Sequence, residues 1–371
     1  MKIAIFISDE GFGHSVRQKN IINNIFKLNS KIKITIFNSK RLTFLKEYFG
    51  NKIDYKHYPE TLYTVKKKNG ELDLQNTKKV LQNWIYKSDL NIKNLIKKNY
   101  KFDLIISDLV PEAFRYAEYL NIPAFGVARF AWDWFFYNTK FKKLKSVRLI
   151  SKDLALAKKI FFTGFVKKKL LSSQKYSIKE VNLIFDKKIF NEGTSTFFKS
   201  KKKIKCLIMD NGTKTNSKLI RDTIKYLKKI SYIDFYVSID NFSDRLKNIV
   251  AETDNLIPIS GLKNMHRLID YVDFIVARAG FNTLTEILIL KKPSLLIFEK
   301  NNPEIEHNLK QITKLKYAGV MHQNSFKSKF KKRIDFFLKK EIIKLSVRLK
   351  SKNFKSNGSN QIVKEIFRKY E

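Results

Sequence analysis

Two series of short apolar runs alternate with amphipathic stretches along the chain. Runs that are apolar on both faces are typical of parallel strands covered by helices, whereas half-buried strands alternate apolar and polar residues. The first series is Ile3–Ile7, Ile32–Phe37, Ile53–His57, Leu104–Ser107 and Ala124–Val127, and the second is Lys205–Met209, Phe235–Ile239, Leu256–Ile259, Phe274–Ala277 and Ser294–Phe298. The pattern predicts an α/β protein with two parallel sheets.

The chain is long enough for two domains. With 371 residues, of which 43% are hydrophobic, it can bury two ordinary cores. We expect one domain over residues 1–164 and a second over residues 165–355. The polar stretch 167–203 would connect them, and Ser177 and Glu180 there fit the capping box of a helix. Residues 356–371 are expected to form a closing amphipathic helix that packs back toward the N-terminal domain.

The stretch Val272–Gly319 predicts a buried strand, a glycine turn, a helix, a second strand and another helix. Because Gly280 ends the turn at the carboxyl end of the sheet, the next helix would begin there with its N–H groups able to bind an anion. Thr283 and Glu286 also fit a capping box, which would satisfy the same N–H groups without a ligand. Both interpretations fit this stretch alone.

A glycine-containing loop after the first strand carries a candidate base. Gly11 and Gly13 by themselves fit a tight strand-to-helix turn. His14 lies at the helix start and Arg17 one turn further on, so one side chain can take a proton near neutral pH and the other can bind an anion. Asp108 ends another strand, and we expect it at the same edge of the sheet as His14.

The chain is strongly basic, with 75 Lys and Arg against 34 Asp and Glu and a formal net charge of +41. Such a surface attracts phosphate-rich polymers and anionic lipid. The basic runs are dispersed and match no nucleic-acid docking module, so nucleic acid is not the expected partner. Cys206, in an apolar strand, is expected to be a buried, inert thiol. The histidines lack metal-ligand spacing, and neither a metal nor another cofactor is expected.

Residues 130–145, the aromatic-basic segment, are the candidate membrane contact. Four large aromatic residues, at 132 and 134–136, precede four lysines, at 140, 142, 143 and 145. This combination suits the headgroup boundary of an anionic membrane, and the alternative is that the rings pack in the core under the first sheet. No apolar run can span a membrane, and acids follow Met1–Ser8 where a signal peptide would have a cleavage site. We therefore expect a cytoplasmic protein, peripheral on the inner face of the plasma membrane.

Several of these motifs together resemble a known family. GFGHSVR after the first strand, the strand end at Asp108, and RAGFNTLTE with the downstream EIEHNL are similar to inverting glycosyltransferases of the GT-B fold, especially the bacterial lipid II N-acetylglucosaminyltransferases and the UDP-glycosyltransferase superfamily. The resemblance spans nearly the whole chain and is most specific at residues 8–17 and 273–308. It implies two Rossmann-like domains facing each other across a cleft, with the acceptor on the N-terminal domain and a nucleotide sugar on the C-terminal one.

The resemblance also implies a role for each matched residue. His14 would be the catalytic base, Asp108 would support it, and Glu286 would hold the nucleotide ribose. The other expected contacts with the nucleotide sugar are Gly212, Thr213, Arg278, Gly280, Asn282, Thr283 and Asn308, and the expected acceptor-side residues are Gly11, Gly13, Arg17, Trp132 and Asp133. The chain departs from the family where only Gly212 remains of a usual glycine pair, and where Ile305 replaces a glutamine.

We therefore expect metal-independent, inverting transfer of a hexose or N-acetylhexosamine from a UDP-sugar to a hydroxyl acceptor, such as a cell-envelope glycolipid or polysaccharide precursor. This reaction needs a base, a cationic or dipolar cradle for the departing pyrophosphate, and a site that excludes water. Two other functions fit the sequence. One is a nucleotide-sugar hydrolase of the pseudaminic-acid pathway type, and the other is a non-catalytic protein that binds a nucleotide sugar or a polyanion.

Overall fold

The computed structural model describes residues 1–10, 12–67, 71–164, 176–186, 203–209, 224, 226–239, 242–260, 265–298 and 301–368. The chain divides into two compact units. Unit 1 comprises Met1–Lys67, Leu72–Phe185 and Lys355–Glu371, and unit 2 comprises Lys68–Glu71 and Asp186–Phe354. Each unit contains one parallel sheet with helices, which confirms the predicted α/β class.

Unit 1 is built on a seven-stranded parallel sheet in the order β3-β2-β1-β4-β5-β6-β7. Its strands are β1 (Lys2–Ile7), β2 (Lys33–Asn38), β3 (Asp54–His57), β4 (Leu104–Asp108), β5 (Ala124–Ala128), β6 (Lys159–Thr163) and β7 (Ile178–Val181). Its helices are α1 (Phe12–Leu28), Leu42–Phe49, Leu74–Lys97, Glu112–Tyr119, Trp132–Tyr137, Lys145–Ala155 and Gly358–Phe367, with a 3₁₀ turn at Gly50–Lys52. The strand order reverses between β1 and β4, and ligands of such sheets bind beyond the carboxyl ends at this point.

Two strands of unit 1 lie outside the predicted set. The capping box predicted at Ser177 and Glu180 is wrong, because the chain there forms the strand Ile178–Val181. This strand pairs in parallel with β6, placing Phe161 opposite Lys179. The pairing extends unit 1 beyond residue 164 to Phe185.

The helix Gly358–Phe367 packs in the core of unit 1. Ile362, Val363 and Ile366 are buried in the same apolar cluster as Ile22 of α1. At Gly358, an added Cβ would lie 2.0 Å from the carbonyl oxygen of Asn182, so a side chain there would collide with backbone. Only glycine lets the start of this helix come so close to the segment that follows β7.

Unit 2 contains a six-stranded parallel sheet in the order β10-β9-β8-β11-β12-β13. Its strands are β8 (Ile204–Met209), β9 (Ile233–Ser238), β10 (Leu256–Ile259), β11 (Phe274–Arg278), β12 (Ser294–Phe298) and β13 (Gly319–His322). Its helices are Asp244–Ala251, Met265–Tyr271, Phe281–Ile289, Pro303–Leu315, Gln323–Phe336 and Ile342–Lys350, with a π-helical turn at Phe337–Glu341. Cys206 is fully buried in this core, and burial raises the pKa of its thiol well above the ordinary value, as expected for an inert cysteine.

The rings of the aromatic-basic segment belong to the core of unit 1. Trp132 and Phe136 are fully buried and stack with ring centroids 5.2 Å apart, and Phe135 is 3% exposed. For these three rings the prediction that they face a membrane is therefore wrong, and the alternative of core packing holds. Trp134, the fourth ring, is partly exposed. The four lysines that follow them are exposed. Across the described ranges, no helix combines the length and the apolarity needed to cross a bilayer.

Candidate active site

The carboxyl ends of β1 and β4 bring His14 and Asp108 together. The two strands pair so that Ile7 lies opposite Asp108, and the Ser8 N–H donates to the Asp108 carbonyl over 3.1 Å. Helix α1 begins a few residues beyond β1 and carries His14 in its first turn. As a result, His14 Nδ1 lies 2.7 Å from Asp108 Oδ1, although 94 residues separate them in sequence.

The Asp108 carboxylate is fully buried and receives four hydrogen bonds from one face of α1. Its Oδ1 accepts from His14 Nδ1 and from Arg17 Nη2, which lies 2.5 Å away. Its Oδ2 accepts from Arg17 Nε and from Gln18 Nε2, each over 2.9 Å. Residues three and four apart on a helix share a face, so the spacing 14, 17, 18 lets a single helix saturate the carboxylate.

This environment keeps Asp108 ionised and decides which nitrogen of His14 faces it. Burial alone would raise the pKa of Asp108, but the charge of Arg17 and then the interaction with His14 outweigh burial and hold that pKa well below its ordinary range. An ionised carboxylate can only accept hydrogen bonds, so the contact with Asp108 requires the hydrogen on His14 Nδ1. Arg17 Nη2 lies 3.0 Å from the same ring nitrogen, and with this tautomer it donates to Asp108 Oδ1 and not to the ring. When the imidazole is neutral, this tautomer leaves a lone pair on Nε2, which is what a general base requires.

Two residues of this cluster differ from the sequence-based picture. Arg17 was predicted on the acceptor side, but it is only 4% exposed and binds Asp108 through two nitrogens. Gln18 was not singled out, although its position four residues after His14 indicated that it would share the same helix face. Gly13 lies in the first turn of α1 and is partly exposed, and Gly11 falls outside the described residues.

The turn after Asp108 is held by Trp132. Leu109 adopts the left-handed conformation, with φ of 59°, and its carbonyl accepts from Trp132 Nε1 over 3.0 Å. The Ser107 hydroxyl donates to the Val110 carbonyl over 2.8 Å and accepts from the Val110 N–H over 3.1 Å. Trp132 was predicted to contact the acceptor. The structure instead buries it completely, as a support for the backbone beside Asp108.

Asp133, also predicted on the acceptor side, is fully buried in unit 1. Its Oδ1 accepts from the Trp134 N–H over 2.7 Å and from the Tyr176 hydroxyl over 3.2 Å, and its Oδ2 accepts from the Ser151 hydroxyl over 3.3 Å. These bonds place Asp133 among the packing contacts of the helix Trp132–Tyr137, where it exposes no surface to a ligand.

In unit 2, the helix Phe281–Ile289 begins directly after β11, with Gly280 as its N-cap. The Leu284 N–H bonds the Gly280 carbonyl over 3.0 Å, so the N–H groups of the preceding helical residues lie at the helix terminus, where they can meet an anion. A Cβ at Gly280 would have no heavy atom within 4 Å. Packing therefore does not demand glycine here, and the open space lets a ligand approach the backbone.

The capping box predicted at Thr283 and Glu286 is wrong, because the N-cap is Gly280 and makes no side-chain cap bond. Thr283, Glu286 and Asn282 are all partly exposed, whereas Leu284 between them is buried. The polar residues therefore form the accessible side of the first helical turns, next to Arg278 at the end of β11, which is also partly exposed.

Asn308 forms a hydrogen bond with the turn that precedes the helix Phe281–Ile289. It lies on the helix Pro303–Leu315, is 2% exposed, and donates from Nδ2 to the Ala279 carbonyl over 3.2 Å. Ile305, at the position where the resemblance implies glutamine, is fully buried. Gly212 and Thr213, the remaining predicted phosphate contacts, lie outside the described residues.

Comparison with known proteins identifies relatives of this architecture. Residues 218–366 match the family model described as the glycosyltransferase family 28 C-terminal domain. A search of curated proteins gives no match. Among solved structures, UGT2 of Phytolacca americana, complexed with UDP-2fluoro-glucose and pterostilbene, is 13% identical with a TM-score of 0.65, covering 100% of this chain and 99% of that one.

Two further solved structures show the same fold. MurG of Acinetobacter baumannii is 11% identical with a TM-score of 0.61, covering 99% of this chain and 100% of its own. UGT89C1 of Arabidopsis thaliana is 12% identical with a TM-score of 0.67, covering 99% of this chain and 98% of its own. At these identities the likeness concerns the fold, which is that of two Rossmann-like domains.

We expect Arg17→Met to lower the free energy of unfolding by about 3 kcal/mol at pH 7, because it leaves the buried Asp108 charge without its main partner. Urea denaturation measures the change. Since the pKa of Asp108 is lower in the folded chain than in the unfolded one, its stabilisation exists above the unfolded pKa of about 4 and is lost as the pH falls further. The penalty of Arg17→Met should therefore shrink in acid.

The double variant Arg17→Met, Asp108→Asn removes both charges and should lose less stability than the sum of the single variants. Arg148→Met, at an exposed arginine of the same unit, is the matched control and should change stability by no more than about 0.5 kcal/mol. Strict additivity of the two buried substitutions would show that the ion pair does not stabilise the unit.

Proposed function

We propose that this chain is a glycosyltransferase that moves a hexose or N-acetylhexosamine from a UDP-sugar to an acceptor hydroxyl with inversion. The match of residues 218–366 to the family 28 C-terminal domain and the likeness in fold to UGT2 and MurG support the proposal. The observation that carries the proposal is the buried pairing of His14 with Asp108 at the carboxyl edge of the unit 1 sheet. A histidine held by an ionised carboxylate, with its second nitrogen available, is suited to remove a proton from a hydroxyl.

In the proposed step, His14 Nε2 takes the acceptor proton while the acceptor oxygen attacks the anomeric carbon of the donor. The bond from that carbon to the diphosphate breaks, and UDP departs with the bonding electrons. Asp108 stabilises the imidazolium that forms, and Arg17 and Gln18 keep Asp108 ionised and in place. Attack from the face opposite the leaving group inverts the configuration.

The donor is assigned to unit 2. Arg278 and the N–H groups at the start of the helix Phe281–Ile289 would balance the charge of the diphosphate, so no metal enters the proposed step. Glu286, one turn further along on the accessible side, would accept hydrogen bonds from the ribose hydroxyls. The Asn308 side chain supports this arrangement by holding the Ala279 carbonyl.

A double substitution of Arg278→Ala and Glu286→Ala in the full chain should weaken UDP binding at least about tenfold, since charge-assisted hydrogen bonds contribute about 1.5–3 kcal/mol each. Gly280→Ala should also weaken UDP binding, because its methyl group would occupy open space, yet leave thermal stability unchanged. Calorimetry with UDP and GDP measures these affinities, and UDP should be preferred. Arg245→Ala, at an exposed arginine of unit 2, is the control. Unchanged UDP affinity in the double variant would remove this donor assignment.

His14→Ala should lower the transfer rate by a factor on the order of 10²–10⁴, the scale of general-base catalysis, with UDP affinity nearly intact. Asp108→Asn should have a smaller effect in the same direction, because it misorients the imidazole without removing it. UDP release from a panel of UDP-sugars, with and without an extract of membrane lipids and saccharides, measures turnover. His57→Ala, at an exposed histidine of unit 1, is the control.

The same assay separates the other functional classes. Wild-type UDP release that does not depend on an acceptor identifies a hydrolase, and binding of UDP without any turnover identifies a binding protein. Full turnover in the His14→Ala protein would remove the catalytic role of His14.

We further propose that the acceptor is presented at an anionic membrane, which the exposed lysines at 140, 142, 143 and 145 would contact. Each lysine beside such a surface contributes roughly 1 kcal/mol, so changing all four to Gln should weaken binding to phosphatidylglycerol vesicles at least about tenfold. Vesicle sedimentation at two salt concentrations measures this. Changing Lys93, Lys97, Lys98 and Lys101 to Gln removes the same charge from another exposed stretch. Equal losses in both proteins would mean that only net charge matters.

A further inference from the structure

A narrow cavity of about 10 Å³ lies at the carboxyl edge of the unit 1 sheet. Its wall includes Ile7 and Ser8 at the end of β1, and Leu109 and Val110 directly after β4. These residues adjoin, along the chain, the loop that leads to His14 and the strand end that carries Asp108. The volume suits one water-sized group. A ligand with a small terminal group in this cavity would therefore lie at the same sheet edge as the proposed base.

Two carboxylates in the cavity wall each have an oxygen without a hydrogen-bond partner among the described residues. Glu112 is fully buried, and its Oε1 accepts from the hydroxyls of Tyr58, 3.2 Å away, and Thr61, while its Oε2 has no such partner. The Glu60 side chain is 9% exposed, and its Oε2 accepts from Lys40 Nζ over 2.9 Å, while its Oε1 has none. Buried acceptors left without donors cost free energy, so both oxygens call for a donor that the described chain does not supply.

The residues that line the cavity are acidic, although Lys40 and Arg41 interact with Glu60, and Arg115 with Glu112, from outside the lining. Among the residues described in its wall, three are acidic, Asp9, Glu60 and Glu112, and none is basic, although the chain has a formal charge of +41. Burial raises the pKa of Glu60 to about 7 despite its bond to Lys40, and burial also raises the pKa of Glu112. A positive group in the cavity would favour the ionised form of both carboxyls.

We propose that this cavity binds a primary ammonium group of the acceptor, which would make the acceptor an amine-bearing saccharide or an amine-bearing lipid headgroup. The inference rests on the proposed function, because it assigns the acceptor class of the same site. An ammonium group is about the size of a water molecule and has three N–H donors for the oxygens of Glu60 and Glu112. A neutral hydroxyl has one donor and no charge. A metal ion fits less well, because no three His, Cys, Asp or Glu side chains in the described part of the chain are placed to hold one.

Ligand-observed NMR titration of the 371-residue chain at pH 7 tests the proposal. The ligands are glucosamine, N-acetylglucosamine as its neutral counterpart, and ethanolamine as a lipid headgroup probe. Glucosamine should bind at least about tenfold more tightly than N-acetylglucosamine, as expected when charge-assisted hydrogen bonds are lost. Ethanolamine binding as tight as that of glucosamine would point to a lipid source, and weaker binding would point to a saccharide.

Glu112→Gln and Glu60→Gln should each weaken glucosamine binding at least about tenfold, since each removes one carboxylate from the cavity but keeps the side-chain shape. Glu47→Gln, at an exposed glutamate of unit 1, is the matched control and should bind as the wild type does. Thermal unfolding of each variant checks that it is folded. Any of three results would overturn the proposal: equal affinity for glucosamine and N-acetylglucosamine, unchanged glucosamine binding by folded Glu112→Gln protein, or no saturable binding of either amine. The last of these results would leave only water in the cavity.

The pH dependence of ethanolamine binding is an independent readout, because this ammonium stays protonated near neutral pH. The charged groups that face Glu60 are Lys40, Arg41, Asp9 and Glu10. Below its pKa of about 7, Glu60 must release its proton before it can receive a cation, so affinity should fall as the pH is lowered from 8 to 6. This dependence should be weaker in Glu60→Gln protein, and an equal dependence in both proteins would contradict the role of Glu60.

UDP binding and turnover, measured on the same samples, separate failure of this proposal from failure of the proposed function. Turnover on uncharged acceptors without any ammonium binding overturns the ammonium site and leaves sugar transfer standing. Absence of turnover with every donor and acceptor overturns the proposed function itself.

Discussion

The ion pair between Arg17 and Asp108 is the contact on which the site of unit 1 depends. A carboxylate buried at a strand end is tolerated only when it is paired and fully hydrogen-bonded, and Arg17 with Gln18 supplies most of that compensation. Because these donors lie on α1, the same bonds fix the helix against β4. The position of His14 and the nitrogen on which it carries its proton both follow from this attachment.

The sequence predicted strands best where both faces of the strand are buried. The apolar runs of β4 and β5 are buried at every position, so their composition alone indicated covered parallel strands. β7 was missed because it lies at the edge of its sheet, where Lys179 and Glu180 are exposed, and Ser177 with Glu180 imitates a helix signal. Local spacing cannot reveal that β6 is available as a pairing partner.

Two sequence signals, the ends of strands and the periodicity of helices, predicted part of the site in unit 1. Both signals placed His14 and Asp108 at one edge of a sheet, and helical spacing grouped Arg17 with His14. Which carboxylate Arg17 meets depends on the register of β1 with β4, a contact between distant parts of the chain. For Trp132 and Asp133, local composition fitted an exposed aromatic segment and a buried one equally well, and only tertiary packing decides between them.

The contact between α1 and the helix Gly358–Phe367 has a consequence for the order of folding. Ile22 of α1 packs in one cluster with Ile362, and Asn24 Nδ2 donates to the Ser359 hydroxyl over 3.0 Å. The helix that carries His14 therefore packs against residues that are synthesised after all of unit 2. During translation, unit 1 cannot complete its core until the helix Gly358–Phe367 has emerged from the ribosome. The position of His14 beside Asp108 would therefore become fixed only after synthesis has passed the second unit.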